Sequence, residues 1–228
     1  MPLAESGCDH AHTMTPVSEH GQALVEAALV LPSMILLLLG AVQLTQLQQA
    51  RLLAGYAAFA AARAGAVMNG DPEKMREAAA LALLPAFGPT ASLAEMGRTL
   101  VRFKAEDAAL ERLGLRQLDL EVRNPVRSDF RALGQHLDGK EIDFDDVRPQ
   151  AAAANLLSLR LRYLYELKVP FANRVLQEIW LAAGGKRGEG VLLGGLLAAA
   201  RAGRYYLPVQ ALYTLRMQSN PYLQRARP

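Results

Sequence analysis

The chain has 228 residues, with 25 Lys and Arg against 22 Asp and Glu, which gives a formal net charge of +3. Hydrophobic residues make up 51% and charged residues 21%, and this composition excludes a disordered or a collagen-like chain. The small charge excess gives no electrostatic argument for nucleic acid, so no nucleic-acid partner is expected. The single cysteine, Cys8, excludes a disulfide framework within the chain and a zinc site built on cysteines.

The N-terminal part of the chain contains a long uncharged segment. Residues 1–50 hold no Lys or Arg, and no charged residue occurs between Glu26 and Arg51. The apolar part, residues 24–44, has the length that a helix needs to cross a hydrocarbon core of ~30 Å at ~1.5 Å per residue. The insertion free energy of its Leu, Ile, Val and Met side chains outweighs the polar Ser33 and Gln43. The sequence therefore predicts a transmembrane helix, with a buried core helix as the alternative.

The orientation of this helix is not decided by charge. A cleaved secretory signal requires a basic start and a shorter apolar run, and neither is present. Basic residues normally mark the cytoplasmic side, and Arg51 and Arg63 follow the helix, which favours a cytoplasmic C-terminal part. The charge rule is weak for long domains, so the question stays open at this point.

Glu26 stands at the start of the apolar segment, within the string GQALVEAALVLP of residues 21–32. An acid costs ~2.5–3.5 kcal/mol at the bilayer centre and less near the interface, so its presence indicates a function and requires a cationic partner. No Lys or Arg lies within one helical turn of Glu26. The free α-amino group of a neighbouring subunit provides that partner if the chain is cut after Gly21.

This spacing resembles the class III signal of type IV prepilins, in which a glycine, four residues and a glutamate precede a long apolar helix. The resemblance implies that a prepilin peptidase cuts after Gly21 and that Gln22 becomes the first mature residue. It also implies that Glu26, at the fifth mature position, meets the amino terminus of a neighbouring subunit. An ordinary signal anchor with a chance Gly and Glu is the alternative.

The longer string GQALVEAALVLPSMILLLLG, followed by QQARLLAGYAAFAAARAGA, resembles the TadE/TadG-like proteins of tight-adherence (Tad/Flp) pili over residues 20–66. Ala27 stands where the major Flp pilins carry a tyrosine, and those pilins are much shorter, so a minor, pilin-like subunit is favoured. The resemblance implies a single-pass protein of the inner membrane with its N-terminus in the cytoplasm and its C-terminal head outside. It further implies, as partners, the prepilin peptidase, other pilin-like subunits and the Tad secretion machinery.

Beyond the apolar segment, residues with high helix propensity predict that the helix continues. The pair Asn69-Gly70 predicts its end. Asp71 as N-cap and Pro72 at the first helical position predict a second helix, which should stop before Pro85.

A run of small residues in the continuation allows another backbone to approach closely. Either helices of other subunits or this chain's own sheet can use that surface, and the sequence favours neither. The run consists of Ala57, Ala58, Ala60, Ala61, Ala62, Ala64 and Gly65.

Three segments alternate apolar and polar residues with the period of two that is typical of half-buried strands. They are residues 118–123, 156–170 and 205–217. In the first two, Asp119 and Glu121 are placed to oppose Arg160 and Arg162 across a strand pair. The proline in the third segment confines that strand to an edge or to its own start.

These patterns predict an α+β fold, in which a long N-terminal helix packs on a small antiparallel sheet, as in pilins, with a helical insert. Pro32 is expected to kink the transmembrane helix or to loosen one turn. The predicted organisation is a leader at 1–21, a transmembrane helix at 22–47, a helix continuation at 48–70, and a head at 71–228 with the insert at 171–203.

The insert and one loop leave alternatives open. The apolar run at residues 191–200 is too short to span a bilayer, so a docked helix is favoured over an exposed patch for a partner or the membrane surface. The loop at residues 138–146 is acidic, but its spacing does not match a calcium-binding EF-hand. A solvated loop is the favoured interpretation.

No catalytic, cofactor or metal set is expected. His10, His12 and His20 fall in the predicted leader, and His136 stands apart in a polar loop. Because no other His and no Cys is near His136, it does not build a catalytic triad or a zinc site. Cys8, Asp9, His10 and His12 could ligate a metal, but a chance cluster in a discarded leader is the favoured interpretation. An enzyme is therefore not favoured.

Three functions remain after these exclusions. The leading one is a pilin-like minor subunit that is cleaved after Gly21 and assembles by helix packing. The second is an uncleaved, membrane-anchored pilus assembly factor. The third is a tethered extracytoplasmic binding module or enzyme.

Overall fold

The structure is a computed structural model that describes residues 19–133, 138–185 and 190–225, without the side chains of residues 19–22, 184–185 and 190–191. Contacts divide the chain into two units, residues 1–38 and 39–228, and the first helix has residues in both. The elements in chain order are α1 (Glu19–Val67), α2 (Pro72–Leu83), α3 (Leu93–Glu111), β1 (Leu118–Asn124), α4 (Arg127–Leu133), α5 (Pro149–Ala154), β2 (Leu156–Glu166), α6 (Ala172–Trp180), α7 (Gly190–Arg201) and β3 (Tyr206–Arg216).

The turn between α1 and α2 has the predicted form. Helix α1 ends at Val67, and Asn69 and Gly70 then adopt positive φ angles of 57° and 71°. The Asp71 side chain accepts hydrogen bonds from the N–H groups of Glu73 and Lys74, and it therefore caps α2. Helix α2 ends at Leu83, before the proline, so both predicted bounds are confirmed.

The three strands form one antiparallel sheet in the order β1-β2-β3. Asp119 faces Arg162 and Glu121 faces Arg160 in the register, and each pair forms an ion pair of 2.6 Å. The predicted cross-strand pairing is confirmed. Strand β3, which contains a proline, lies at an edge, as the sequence predicts.

Strand β2 is shorter than its alternating pattern. The pattern predicts a strand up to residue 170, but β2 ends at Glu166. The side chains of Leu167 and Val169 remain buried, so the alternation of burial continues past the strand. The ladder stops because β3 begins opposite Glu166, and the N–H of Val169 is bonded instead to a side chain of α1.

The main core lies between the C-terminal part of α1 and one face of the sheet. Ala57, Ala58, Ala61 and Ala62 are buried there against side chains of β2 and β3. These four alanines therefore pack against the chain's own sheet. Ala60 and Ala64 are only half-buried, on a different side of the helix.

Helix α3 was not predicted from the sequence. Its N-terminus has a local signal, because Ser92 accepts a hydrogen bond from the N–H of Glu95 while the Glu95 carboxylate accepts one from Ala91. On its inner side, the ring of Phe103 packs edge-on against that of Phe87 at 5.0 Å between centroids. The helix thus widens the core beyond the one expected from α1 and the sheet.

The insert between β2 and β3 forms α6 and α7, joined in part by a π-helical turn at Leu181–Gly185. Leu196 and Ala199 of α7 are buried in a second apolar cluster with Leu164 and Tyr206, on the other face of the sheet. The docked interpretation of this apolar run is confirmed. Leu164 interrupts the alternation of β2, because it is an apolar residue on the otherwise polar face of the strand, and its place in this cluster explains why it is buried.

Candidate functional site: the exposed apolar helix

Helix α1 exposes an apolar surface in its first half. All side chains at residues 23–38 are exposed, and Leu24, Leu29 and Leu37 are 72%, 73% and 76% exposed. From Ala23 onward the helix is long and apolar enough to cross a membrane by length and composition. A contiguous apolar surface of this kind is not maintained in water and marks contact with lipid or with other protein.

Glu26 lies on this exposed surface, as its position in the sequence predicts. Gly21 and Gln22 lie in the same helix, with side chains outside the described set. Glu26 follows Gln22 by about one turn of the helix, so the two positions share a side of it. The sequence up to Ala50 contains no Lys or Arg, so this part of the chain offers no lysine or arginine to the carboxylate.

Two hydroxyl groups in and just after the apolar segment form hydrogen bonds within the helix. Ser33 Oγ donates to the carbonyl of Val30 at 2.7 Å, and Thr45 Oγ1 donates to that of Ala41 at 3.0 Å. These bonds suit an apolar environment, where an unpaired hydroxyl is costly. Helix α1 runs through Pro32 without interruption, and the kink stays a prediction.

The end of the apolar segment is attached to the sheet by amide side chains. The buried Gln43 accepts a hydrogen bond of 2.8 Å from the N–H of Val169. One turn later, Gln46 accepts a hydrogen bond of 3.3 Å from the hydroxyl of Tyr165. Burial raises the pKa of Tyr165, so this hydroxyl keeps its proton as a donor.

The role of Gln43 was not predicted from the sequence. There the residue stands out only as a polar side chain whose cost of membrane insertion is outweighed by the apolar residues around it. A helical signal was present, because its position shares a side of α1 with residues that contact the sheet. The other members of that side are Leu47, Ala50, Ala54, Ala57, Ala58, Ala61 and Ala62.

The described residues contain no group of three or more His, Cys, Asp or Glu side chains that is arranged to hold a metal ion. In the acidic loop, Asp143 accepts a hydrogen bond from the N–H of Asp145, and Asp146 pairs with Arg148. Two of the loop carboxylates, those of Asp143 and Asp146, therefore have local partners. His10, His12 and His136 lie outside the described residues, as does the side chain of His20.

The chain is an α+β protein with a long N-terminal helix that is apolar enough to cross a membrane in its first half and packs on a three-stranded sheet in its second. The family model described as TadE-like protein matches residues 21–63. The match covers less than half of the chain, and residues 21–63 are similar to that family; together with the apolar helix they fit a Tad pilus-associated membrane protein. No curated protein and no solved structure matches the chain.

Proposed function

We propose that this chain is a pilin-like minor subunit of a Tad/Flp-type pilus or a related secretion apparatus. The observation that carries the proposal is that two independent features fall on the same helix. Residues 21–63 match the TadE-like family, and the same helix exposes its apolar side chains over residues 23–38. The family and the exposed surface both favour assembly in or from a membrane.

In this proposal the chain inserts into the inner membrane with its N-terminus in the cytoplasm. A prepilin peptidase then cuts after Gly21 and creates a cationic α-amino group on Gln22. The carboxylate of Glu26 pairs with the amino group of a neighbouring subunit. The pairing offsets the desolvation of both charges, and attraction between them is stronger in a low dielectric than in water.

The first test is the N-terminal sequence of the protein purified from membranes of its native host. The proposal expects a chain that begins Gln22-Ala23-Leu24. A chain that begins at Met1 or Pro2 contradicts processing and favours the uncleaved, membrane-anchored assembly factor.

The second test concerns assembly. Glu26→Ala is expected to remove the chain from the sheared fibre fraction and to leave it in the membrane, because the charge pair that draws subunits together is lost. Glu73→Ala is the matched control, since Glu73 is an exposed acid on α2. Equal recovery of both variants in fibres contradicts the assigned role of Glu26.

A further inference from the structure

Helix α6 has a second apolar side that does not face the core. On the inner side, Ala172 is buried and Trp180 packs against the core clusters. On the outer side lies what we call the α6 stripe, a row of exposed apolar residues at helical spacing. The stripe consists of Phe171, Val175 and Ile179, which are 73%, 42% and 57% exposed, and of the exposed Ala182 in the following turn.

The register of the sheet against α1 places this stripe near the end of the apolar segment. At the start of β2, Leu157 lies close to Gly65 near the C-terminus of α1. Past the end of β2, the N–H of Val169 is bonded to Gln43. Gln43 lies in α1, more than twenty residues before Gly65. Strand β2 therefore runs back along α1, and α6 begins beside Gln43.

Gln43 is also where a bilayer around α1 is expected to end. The apolar part of the helix covers residues 24–44, about the length that crosses a hydrocarbon core of ~30 Å. The boundary between hydrocarbon and headgroups then falls beside Val169 and the start of α6. A short amphipathic helix at this level has its apolar side at the acyl boundary.

Phe171 has a strained backbone at this position. Its φ and ψ are 62° and −51°, in a tight turn in which the N–H of Ala172 donates to the carbonyl of Pro170 at 2.7 Å. A bulky residue rarely adopts a positive φ, and such strain concentrates at functional sites. Because the side chain is 73% exposed, packing within the described chain does little to offset the strain.

The charges around the stripe suit a lipid surface. Lys168 is exposed just before the turn, where an ammonium group can reach anionic headgroups. The neighbouring Arg174 and Glu178 form an ion pair of 2.9 Å, so they add no net charge beside the stripe.

We propose that the α6 stripe lies in the interface of a phospholipid bilayer, as a second membrane contact that fixes the orientation of the head. This inference rests on the proposal that α1 spans the bilayer. It assigns to the head a surface for lipid rather than for a protein partner.

The chain carries its own probe, because Trp180 is its single tryptophan and follows Ile179 directly. The full chain is reconstituted in phosphatidylcholine and phosphatidylglycerol vesicles, with or without bromine near the headgroup end of the acyl chains. We expect brominated lipid to quench Trp180 in the wild type. Flotation of the chain with the vesicles is recorded first, because it tests the insertion of α1 separately from the stripe.

Three variants test the stripe itself, each by the ratio of emission in brominated and plain vesicles. Ile179→Asp is expected to reduce the quenching, while Leu212→Asp, a control on β3 with 64% exposure, is expected to keep it. Phe171→Gly is expected to reduce the quenching without lowering the free energy of unfolding, since glycine tolerates the positive φ. A purely structural role of Phe171 does not produce that combination.

Each outcome decides the proposal. A chain that floats without quenching overturns the lipid contact, leaves the span intact, and makes a protein partner the remaining occupant of the stripe. Quenching that persists in both Ile179→Asp and Phe171→Gly also overturns it. A chain that does not float overturns the spanning helix and the stripe contact together.

Discussion

Gln43 Oε1 accepts a 2.8 Å hydrogen bond from the main-chain N–H of Val169, and both residues are buried. The bond joins α1 to the segment that leaves β2. An apolar side chain in place of Gln43 would leave a buried N–H without an acceptor. This bond therefore explains why a buried amide stands within an otherwise apolar part of the helix.

Replacement of this amide is expected to destabilise the head. Gln43→Leu should lower the free energy of unfolding by about 1–3 kcal/mol, the usual cost of a buried donor left unpaired. Denaturant unfolding of the full chain in mild detergent, followed by Trp180 emission, measures the change. Gln49→Leu is the control because Gln49 is exposed on the same helix. Equal stability of the two variants contradicts the assigned role of Gln43.

Two glycines of α1 should respond in opposite directions to the same substitution. A Cβ at Gly65 would meet the sulfur of Met75 and lie 2.7 Å from Leu157 Cδ2, whereas a Cβ at Gly55 meets nothing within 4 Å. Gly65→Ala should cost about 1–3 kcal/mol through overpacking. Gly55→Ala should stabilise by about 0.5–1 kcal/mol, because alanine favours the helix. Thermal unfolding in detergent compares them, and a shift of the same sign in both disproves the close approach at Gly65.

The cross-strand ion pair of Asp119 and Arg162 should give a small but measurable coupling. The two side chains are 41% and 20% exposed, so solvent screens part of their attraction. A double-mutant cycle with Asp119→Asn and Arg162→Gln should yield about 0.2–1 kcal/mol at low salt. The coupling should decrease in high salt. A coupling that does not change with salt argues against an electrostatic origin.

Alkaline pH should destabilise the head through its buried tyrosines. Burial raises the pKa of Tyr206 and of Tyr163, so both keep their protons in the folded chain after the unfolded chain begins to ionise at about pH 10. The unfolded state then binds fewer protons, and the free energy of unfolding falls as pH rises.

Tyr206→Phe should make that fall less steep. At neutral pH the variant should be as stable as the wild type or more so, because the Tyr206 hydroxyl is buried without a hydrogen-bond partner in the described part of the chain. Denaturant unfolding between pH 7 and 11 measures both effects. An unchanged slope in the variant contradicts the role of burial, and Tyr163→Phe/Tyr206→Phe should flatten the curve further.

The sequence predicted those parts of the fold that depend on local chemistry. The N-cap at Asp71 and the alternation in β2 were read correctly because a cap needs only its next residues, and a strand face follows the pleat. The opposition of Asp119 and Arg162 also followed, since both strands show which side faces the core. Glu26 was found by its position before an apolar run, and its role in assembly stays a prediction.

The parts that were missed depend on residues far apart in the chain. The end of β2 is set by where β3 begins and by Gln43, and neither is visible in the local pattern. The C-terminal segment shows the same limit. Ser219 and Asn220 bond to the turn after α1, and Arg225 forms an ion pair of 3.1 Å with Asp71.

The sequence by itself determined that the chain has an apolar helix long enough for a bilayer, an acid at its start, and three alternating strands, because these features are periodic or local. Only the tertiary structure decided which side of α1 the sheet covers, that α7 is docked, and that α6 exposes Phe171 and Ile179. The reason is physical, since an amphipathic segment does not specify its partner. The surface that remains exposed is known only when all the other elements have taken their places.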